Sequence, residues 1–351
     1  MIVSFISFVI VIGICVLVHE YGHYVTARLL GVQVHEFAFG MGPVVKQIER
    51  RGEGGSRMLW SWRLFPVGGF CRLAGMGEDA DGEAVLPGMG FNEQRAWRRF
   101  LILLNGSLGN IVLALFLTAL FLYGHGYMDM NDTKIGTLME GFPAERAGFR
   151  TGDRIVRVNG KPVHEWREMS ASLREAAREG DVAFTVERGG ETLTITTSVP
   201  FNREHGNPML GITPALKRCT ALEAAQNATG YIRQMTGLLL RGLWDWITQK
   251  QEMEVTGPIG IASMSGNAMR EGLWSFVTFL AMISLNLGLL NLLPFPALDG
   301  GRILFVLLEM LVRRRLPERV ENWIHTTCFV LLLILMIFVT WQDIYRLFLL
   351  E

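Results

Sequence analysis

The sequence predicts an α-helical integral membrane protein with about four transmembrane helices, a membrane-associated β-loop and a small α+β domain inserted between the second and third helices. Composition supports this class: 50% of the 351 residues are hydrophobic, only 19% are charged, and the mean hydropathy is +0.29. Such a chain is too apolar for a soluble globule of this length. The apolar residues also fall into long uncharged runs, whereas one central stretch carries charges throughout.

Four uncharged runs are long enough to cross a hydrocarbon layer of about 30 Å. They are residues 1–18, 100–123, 273–298 and 324–341. The first has neither a basic leading region nor a small-residue cleavage site, so we expect a retained span rather than a secretory signal. Arg and Lys concentrate between the first two runs and between the last two. Those loops are therefore expected to be cytoplasmic, with both termini and the central segment extracytoplasmic.

The sequence His19-Glu20-Tyr21-Gly22-His23 continues the first apolar run without a break. On a helix, the two histidines lie one turn apart on one face, with the glutamate beside them. Two imidazoles and a nearby carboxylate are the groups that zinc-dependent hydrolysis requires. Ionisable groups at membrane depth are costly and usually functional, which weighs against the alternative that the pattern is accidental.

The region from residue 31 to residue 90 is rich in glycine and contains short β-like pieces at 34–39, 58–64 and 69–73. We expect a small sheet or re-entrant hairpin packed against the spans, with an edge strand able to hold an extended substrate. The alternative is a plain cytoplasmic loop. In the second span, polar residues at Asn105, Ser107 and Asn110 are expected to join helices, and the alternative is a role at the site.

The central stretch, residues 134–199, is predicted to fold as one extracytoplasmic domain. Strand-like pieces occur at 155–158, 183–187 and 192–198, and a helical piece at 166–179. Its segment IGTLMEGFPAERAGFRTGDRIVRVNGKPV resembles the PDZ domains of bacterial proteases. Such a domain captures peptide ends or extended segments by strand addition, and the alternative is a steric filter.

Residues 221–250 form an amphipathic pattern with Trp244 and Trp246, which favours a helix at the membrane surface. Gly257 to Ile261 is expected to form a turn before the third span. The predicted domain boundaries are 1–130 for the first part of the membrane core, 131–200 for the inserted domain, 201–272 for the linker and interfacial helix, and 273–351 for the second part of the core.

The third uncharged run ends within the sequence NLLPFPALDGG. Pro294 and Pro296 break the helix there, and Asp299 is the first acidic residue after the run. The predicted topology places Asp299 on the same side as His19 and His23, so it can complete a three-ligand set that leaves one position for water. Zn²⁺ is the metal that this set favours for hydrolysis. The alternatives are a helix cap and an ion pair with the nearby arginine.

Other site types find little support. The 33 basic and 33 acidic residues give a net charge of zero, so we expect no nucleic-acid partner. Cys15, Cys71, Cys219 and Cys328 are scattered singly, which is not the spacing of a disulfide framework or a zinc ribbon. Cys15 lies four residues before His19, but a free cysteine in an apolar helix is usually a packing residue.

Taken together, HEYGH, FGMGP, PVGGF, the PDZ-like segment, GPIGI and NLLPFPALDGG resemble the site-2 protease family of intramembrane zinc metalloproteases, and in particular its bacterial RseP-like branch with a single PDZ domain. The resemblance implies zinc ligation by His19, His23 and Asp299, with Glu20 as the catalytic acid and base. It implies that Asn291 holds the substrate backbone. It further implies that a β-loop pairs with the unwound substrate through Gly68, Gly69, Phe70, Cys71, Arg72 and Leu73.

The resemblance also implies the partners and the location. The substrates would be single-span membrane proteins already trimmed by another protease, such as anti-sigma factors or signal-peptide remnants, and the PDZ segment would contact the substrate or a regulator. The location would be the bacterial inner membrane, with the active site near its cytoplasmic side. The second span departs from the family pattern A-G-P-x-x-N in its Ala and Pro, while Gly106 and Asn110 remain. This departure bears on local packing rather than on catalysis.

Two alternatives come from other functional classes. A non-proteolytic zinc-binding PDZ scaffold would tolerate loss of Glu20, because that residue is not an expected ligand. A metal transporter would distribute polar groups along a path through the bilayer, whereas here they concentrate at one depth.

Overall fold

The structure, a computed structural model, describes residues 2–51, 57–76, 85–202, 207–248, 256–315 and 317–349. The chain divides into two compact units. One comprises Met1–Phe121 with Ala225–Glu351 and contains the apolar helices, and the other is Leu122–Ala224. The helices are α1 Ile2–Leu29, α2 Ala96–His125, α3 Pro143–Arg146, α4 Trp166–Ala176, α5 Ala221–Ile247, α6 Pro258–Glu271, α7 Leu273–Asn291, α8 Asp299–Val312 and α9 Glu318–Leu349.

Four helices are long and apolar enough to cross a membrane, namely α1, α2, α7 and the part of α9 from Arg319 to Tyr345. The four predicted spans are confirmed in this sense. The third is shorter than its uncharged run, because α7 ends at Asn291 and the chain turns through two prolines before α8 begins. A proline disfavours the helical conformation for the residue before it. The helix therefore stops ahead of the prolines, although the apolar run continues.

Helix α6 was not predicted, although its first turn lies at the predicted turn beginning at Gly257. Proline at the first helical position starts a helix as readily as it marks a turn. The buried carboxylate of Asp343 in α9 accepts the backbone N–H groups of Gly257 at 3.1 Å and Gly260 at 2.9 Å. The helix crosses α1 closely, since a Cβ on Gly266 would lie 2.2 Å from the Ser4 hydroxyl oxygen.

The predicted β-like region forms two long strands, β1 Val34–Arg51 and β2 Arg57–Leu73. Phe37 is in register with both Cys71 and Trp60, so the first part of β1 lies between the two ends of β2. Among the described strands, the C-terminal end of β2 pairs on one side only and forms an edge. The region is therefore a sheet, as expected, rather than a plain loop, and its strands run further than the short predicted pieces.

The sheet packs on the helices that carry the candidate site. Tyr24 of α1 makes edge-on ring contacts with Phe37 and Trp60, at centroid distances of 5.5 and 5.4 Å. The same core includes Leu103 of α2 and Ile303 of α8. One apolar cluster thus joins the sheet to α1, α2 and α8.

The second unit is an α+β domain. Its remaining strands are β3 Tyr127–Met128, β4 Ile135–Leu138, β5 Arg154–Val158, β6 Lys161–Pro162, β7 Asp181–Arg188, β8 Glu191–Ser198, β9 Phe201–Asn202, β10 Asn207–Pro208, β11 Ile212–Pro214 and β12 Leu216–Lys217. Four of them form a sheet in the order β6-β5-β7-β8, and helix α4 packs on it through Trp166 and Met169. The three predicted strands and the predicted helix are present. Pairing of β12 with β3 and of β11 with β4 extends the unit on both sides of residues 131–200.

A buried ion pair ties this domain together. Asp153 is 1% exposed, and Arg188 donates to its two carboxylate oxygens at 2.7 Å each. Burial alone would raise the pKa of Asp153, but hydrogen bonds from Arg188 and from the Arg150 backbone amide hold it below its usual value.

Helix α5 covers the predicted interfacial pattern up to Ile247, and the predicted end at residue 250 lies outside the described residues. Its tryptophans are largely exposed, Trp244 at 62% and Trp246 at 50%. It is not one of the four candidate spans.

Candidate active site

Three predicted residues from distant parts of the chain converge at one point. The Nε2 atoms of His19 and His23 are 3.2 Å apart, and Oδ2 of Asp299 lies 2.9 Å from the first and 3.2 Å from the second. Both histidines are 7% exposed. Two imidazole nitrogens and one carboxylate oxygen are a donor set typical of catalytic zinc, so the residues present fit this metal.

The HEYGH helix supplies two of the donors by local geometry. His19 and His23 are one turn apart in α1, and their rings meet edge to face at 4.8 Å. Asp299 is the first residue of α8. The turn before it is very tight, since a Cβ on Gly300 would lie 2.1 Å from the Leu293 carbonyl oxygen and one on Gly301 would lie 2.5 Å from that of Phe295. The two glycines therefore allow Asp299 to reach α1.

Glu20 lies beside the donors and faces the sheet. Its Oε2 accepts a hydrogen bond from the backbone N–H of Cys71 at 2.8 Å. The predicted acid and base thus stands between the three converging donors and the edge of β2. A carboxylate in this position is free of the donor set and can exchange a proton with a group bound at the edge.

Helix α2 orients both histidines. Nδ1 of His23 lies 2.8 Å from the Ile102 carbonyl oxygen, and because a carbonyl only accepts, Nδ1 carries the ring proton and Nε2 keeps its lone pair. The side-chain nitrogen of Asn110, a fully buried residue, lies 3.5 Å from Nδ1 of His19. Of the polar residues in the second span, Asn110 therefore faces the site.

Two close contacts where α1 crosses α2 were not predicted from the sequence. A Cβ on Gly106 would lie 2.3 Å from Nε2 of His23, and one on Gly22 would lie 2.2 Å from the Asn105 carbonyl oxygen. A small residue at a helix crossing is a recognisable signal in a span. The carbonyl of Ile102 carries no such signal, because every residue has one.

The predicted β-loop residues occupy the edge of β2, and the structure gives them different surroundings. Gly68 has a left-handed backbone with φ of 86°, and Phe70 packs under the guanidinium of Arg63 at 4.8 Å. Leu73 is 4% exposed and belongs to the core. Gly69 approaches β1 closely, since a Cβ there would lie 2.7 Å from a carbonyl oxygen of that strand.

The backbone N–H of Cys71 donates a hydrogen bond to Glu20, and the guanidinium of Arg72 donates one to Glu36. Asn291 is the last residue of α7, at the entrance to the turn that carries Asp299. Substrate contacts by the β-loop residues and by Asn291 stay predictions.

Sequence comparison with a family model and with known relatives agrees with this geometry. The family model described as Peptidase family M50 matches residues 7–335. A Fusobacterium nucleatum protein, named provisionally as a zinc metalloprotease, is 32% identical over 98% of this chain and 99% of its own length. The zinc metalloprotease RasP of Geobacillus kaustophilus is 26% identical over 99% of both chains. The PDZ domain of an SdrC-like protein from Listeria monocytogenes is similar over 24% of this chain and 87% of its own length, with 16% identity and a TM-score of 0.21.

The predicted fold class is confirmed as a helical membrane protein with a β-loop and an inserted α+β domain, and Zn²⁺ is confirmed as the cofactor. The match is nearly complete in length, and it covers both the HEYGH helix and the turn that carries Asp299. The chain therefore belongs to peptidase family M50, the site-2 zinc metalloproteases.

Proposed function

We propose that this metalloprotease hydrolyses peptide bonds within the transmembrane segments of single-span proteins that another protease has already trimmed. Anti-sigma factors and signal-peptide remnants are the substrate classes we expect. The observation that carries the proposal is the position of Glu20, whose carboxylate binds the backbone N–H of Cys71 at the edge of β2. Two of the three converging donors, His19 and His23, lie on the same helix as Glu20, and that helix is a candidate membrane span.

A transmembrane helix cannot be cut while it remains helical, because its carbonyl groups are already hydrogen-bonded and shielded. A locally unwound segment needs new partners for its backbone groups, and the edge of β2 offers them by strand addition. Residues 68–73 would pair with the substrate, and Asn291 would hold its backbone near the turn before α8. The substrate would then lie extended beside Glu20.

When bound by His19, His23 and Asp299, zinc supplies the Lewis acidity that polarises the scissile carbonyl. Glu20 accepts a proton from the attacking water as the oxygen–carbon bond forms, and returns a proton to the leaving nitrogen as the carbon–nitrogen bond breaks. The hydrogen bond that Nδ1 of His23 donates to the Ile102 carbonyl, and the contact of the Asn110 side chain with Nδ1 of His19, hold the two imidazoles in orientation during these transfers.

We propose a location in the bacterial inner membrane, and the distribution of basic residues supports an active site near the cytoplasmic side. The exposed tryptophans of α5 support a position for that helix at the membrane surface. We expect the PDZ-like domain to contact the substrate or a regulator, which would limit cleavage to trimmed proteins. No nucleic-acid partner is expected.

The test is cleavage of a tagged single-span substrate in liposomes by the wild type and by Glu20→Gln, with bound zinc quantified and the cut bond mapped by mass spectrometry. We expect the wild type to cut inside the apolar segment, and the variant to bind zinc without cutting. Cleavage only outside the apolar segment would overturn the proposal. Equal cutting by both proteins would show that Glu20 is not the acid and base.

A further inference from the structure

The sheet of β1 and β2 contains one buried carboxylate that the proposed chemistry does not use. Glu36 is 4% exposed, and donors from β2 surround it. Arg63 donates to Oε1 at 2.7 Å and Arg72 to Oε2 at 3.3 Å, while the Ser61 hydroxyl also donates to Oε1. A buried carboxylate is stable only when it is paired in this way, so these contacts restrict where β2 can lie.

The two arginines come from opposite sides of a bend in β2. Arg63 precedes Gly68, whose φ of 86° marks the bend, and Arg72 follows it. Arg63 also covers the Phe70 ring, which lies after the bend. Glu36 is thus joined to both arms of the bent strand, and loss of its charge would loosen the arm that forms the edge.

That arm, residues 69–73, makes the contact with Glu20. Cys71, whose N–H binds Glu20, is in register with Phe37, the residue directly after Glu36. Gly68 and Gly69 at the start of the arm have no side chain that could anchor it. The ion pair of Glu36 with Arg72 therefore holds the arm in place next to Cys71, which makes the contact with Glu20.

We propose that Glu36 is a positioning residue for proteolysis, which fixes the register of the edge arm and so aligns an extended substrate with Glu20. This inference rests on the proposed function, in which the substrate adds to this edge. It predicts an effect on which bond is cut, because register determines which substrate carbonyl lies opposite Glu20. A residue that only stabilised the fold would lower the amount of active enzyme and leave the cut bond unchanged.

The experiment compares Glu36→Gln and Arg72→Gln with a matched control in full-length protein in liposomes. The control is Glu49→Gln, which removes a Glu–Arg pair across the same two strands, where Glu49 and Arg57 are 3.5 Å apart with side chains 46% and 74% exposed. The measurements are KM, kcat, the bonds cut, bound zinc, and hydrogen exchange of residues 69–73. We expect Glu36→Gln and Arg72→Gln to raise KM about tenfold or more, to cut additional neighbouring bonds, and to speed exchange with zinc retained.

If zinc-loaded Glu36→Gln shows the same KM, the same cut bond and the same hydrogen exchange as the wild type, the inference is overturned and the proposed function is unaffected. If Glu36→Gln loses zinc, Arg72→Gln decides by the same criteria, since Arg63 still pairs with Glu36 there. If the wild type cuts no transmembrane segment, the proposed function fails. Hydrogen exchange of residues 69–73 then still tests whether Glu36 holds the edge arm in place. An equal change in exchange in Glu49→Gln would show that the effect is not specific to Glu36.

Discussion

Replacing Gly106 by alanine is expected to disable the zinc site without altering any proposed ligand. The added Cβ would lie 2.3 Å from Nε2, 2.4 Å from Cε1 and 2.9 Å from Cδ2 of His23, whereas ordinary contact begins at 3.4 Å. The ring and α2 must therefore separate by about 1 Å. The ring has little freedom to move, because its Nδ1 is bound to the Ile102 carbonyl on the same helix.

This displacement is large on the scale that matters for a metal. Ligand distances in working sites lie within about 0.2 Å of their usual values, so a shift of about 1 Å removes a ligand or distorts the set. Misplacement by about 1 Å costs on the order of 100-fold in rate, which is about 2.7 kcal/mol of transition-state stabilisation. We expect Gly106→Ala to lose at least that much cleavage and to bind zinc more weakly.

The assay measures zinc per protein and cleavage of a single-span substrate by the purified full-length variant. Gly13→Ala is the matched control, because its added Cβ would meet the Pro66 carbonyl oxygen at 3.7 Å, an ordinary contact. It is expected to behave as the wild type. If Gly106→Ala binds zinc and cuts like the wild type, a Cβ at this position does not displace His23, and the prediction is wrong.

Three further changes test separate contacts. Asn110→Ala removes the side chain that lies 3.5 Å from Nδ1 of His19, so zinc affinity, measured by chelator competition, is expected to fall about 10- to 100-fold. Asp343→Ala removes the acceptor for two backbone N–H groups at the start of α6, which is expected to cost about 3 kcal/mol and to speed hydrogen exchange of that turn. Because Asp153 has a lowered pKa in the folded domain, the stability that it contributes with Arg188 is present above about pH 4 and is lost as the pH falls further. Asp153→Asn is expected to remove that acid transition from the hydrogen exchange of β7.

Each of these predictions has a result that contradicts it. Unchanged zinc affinity in Asn110→Ala would show that its contact with His19 is passive. Asp343→Asn keeps one acceptor and is expected to fall between the wild type and Asp343→Ala; equal exchange in all three would refute the capping role. An acid transition that persists in Asp153→Asn, after correction for intrinsic exchange rates, would assign it to another group.

Much of the fold follows from local sequence patterns. The spacing of His19 and His23 alone places both rings on one face of α1, because that spacing is one helical turn. Uncharged runs predicted the four spans, since bilayer thickness sets their length. The strands and helix of the inserted domain were also predictable from periodicity. Helix α6 was missed because a proline after a glycine suits both a turn and a helix start.

The sequence by itself determined the class of the protein, its spans and the residues capable of binding zinc, because these depend on composition and on spacing within one element. Only the tertiary structure decided which groups meet. Asp299 lies 276 residues from His23, and Glu20 meets a backbone N–H that any residue at position 71 would supply. The pairing of Glu36 with arginines on both arms of β2 likewise depends on the bend in that strand. Such contacts join elements far apart in the chain, so their geometry depends on packing that no local pattern records.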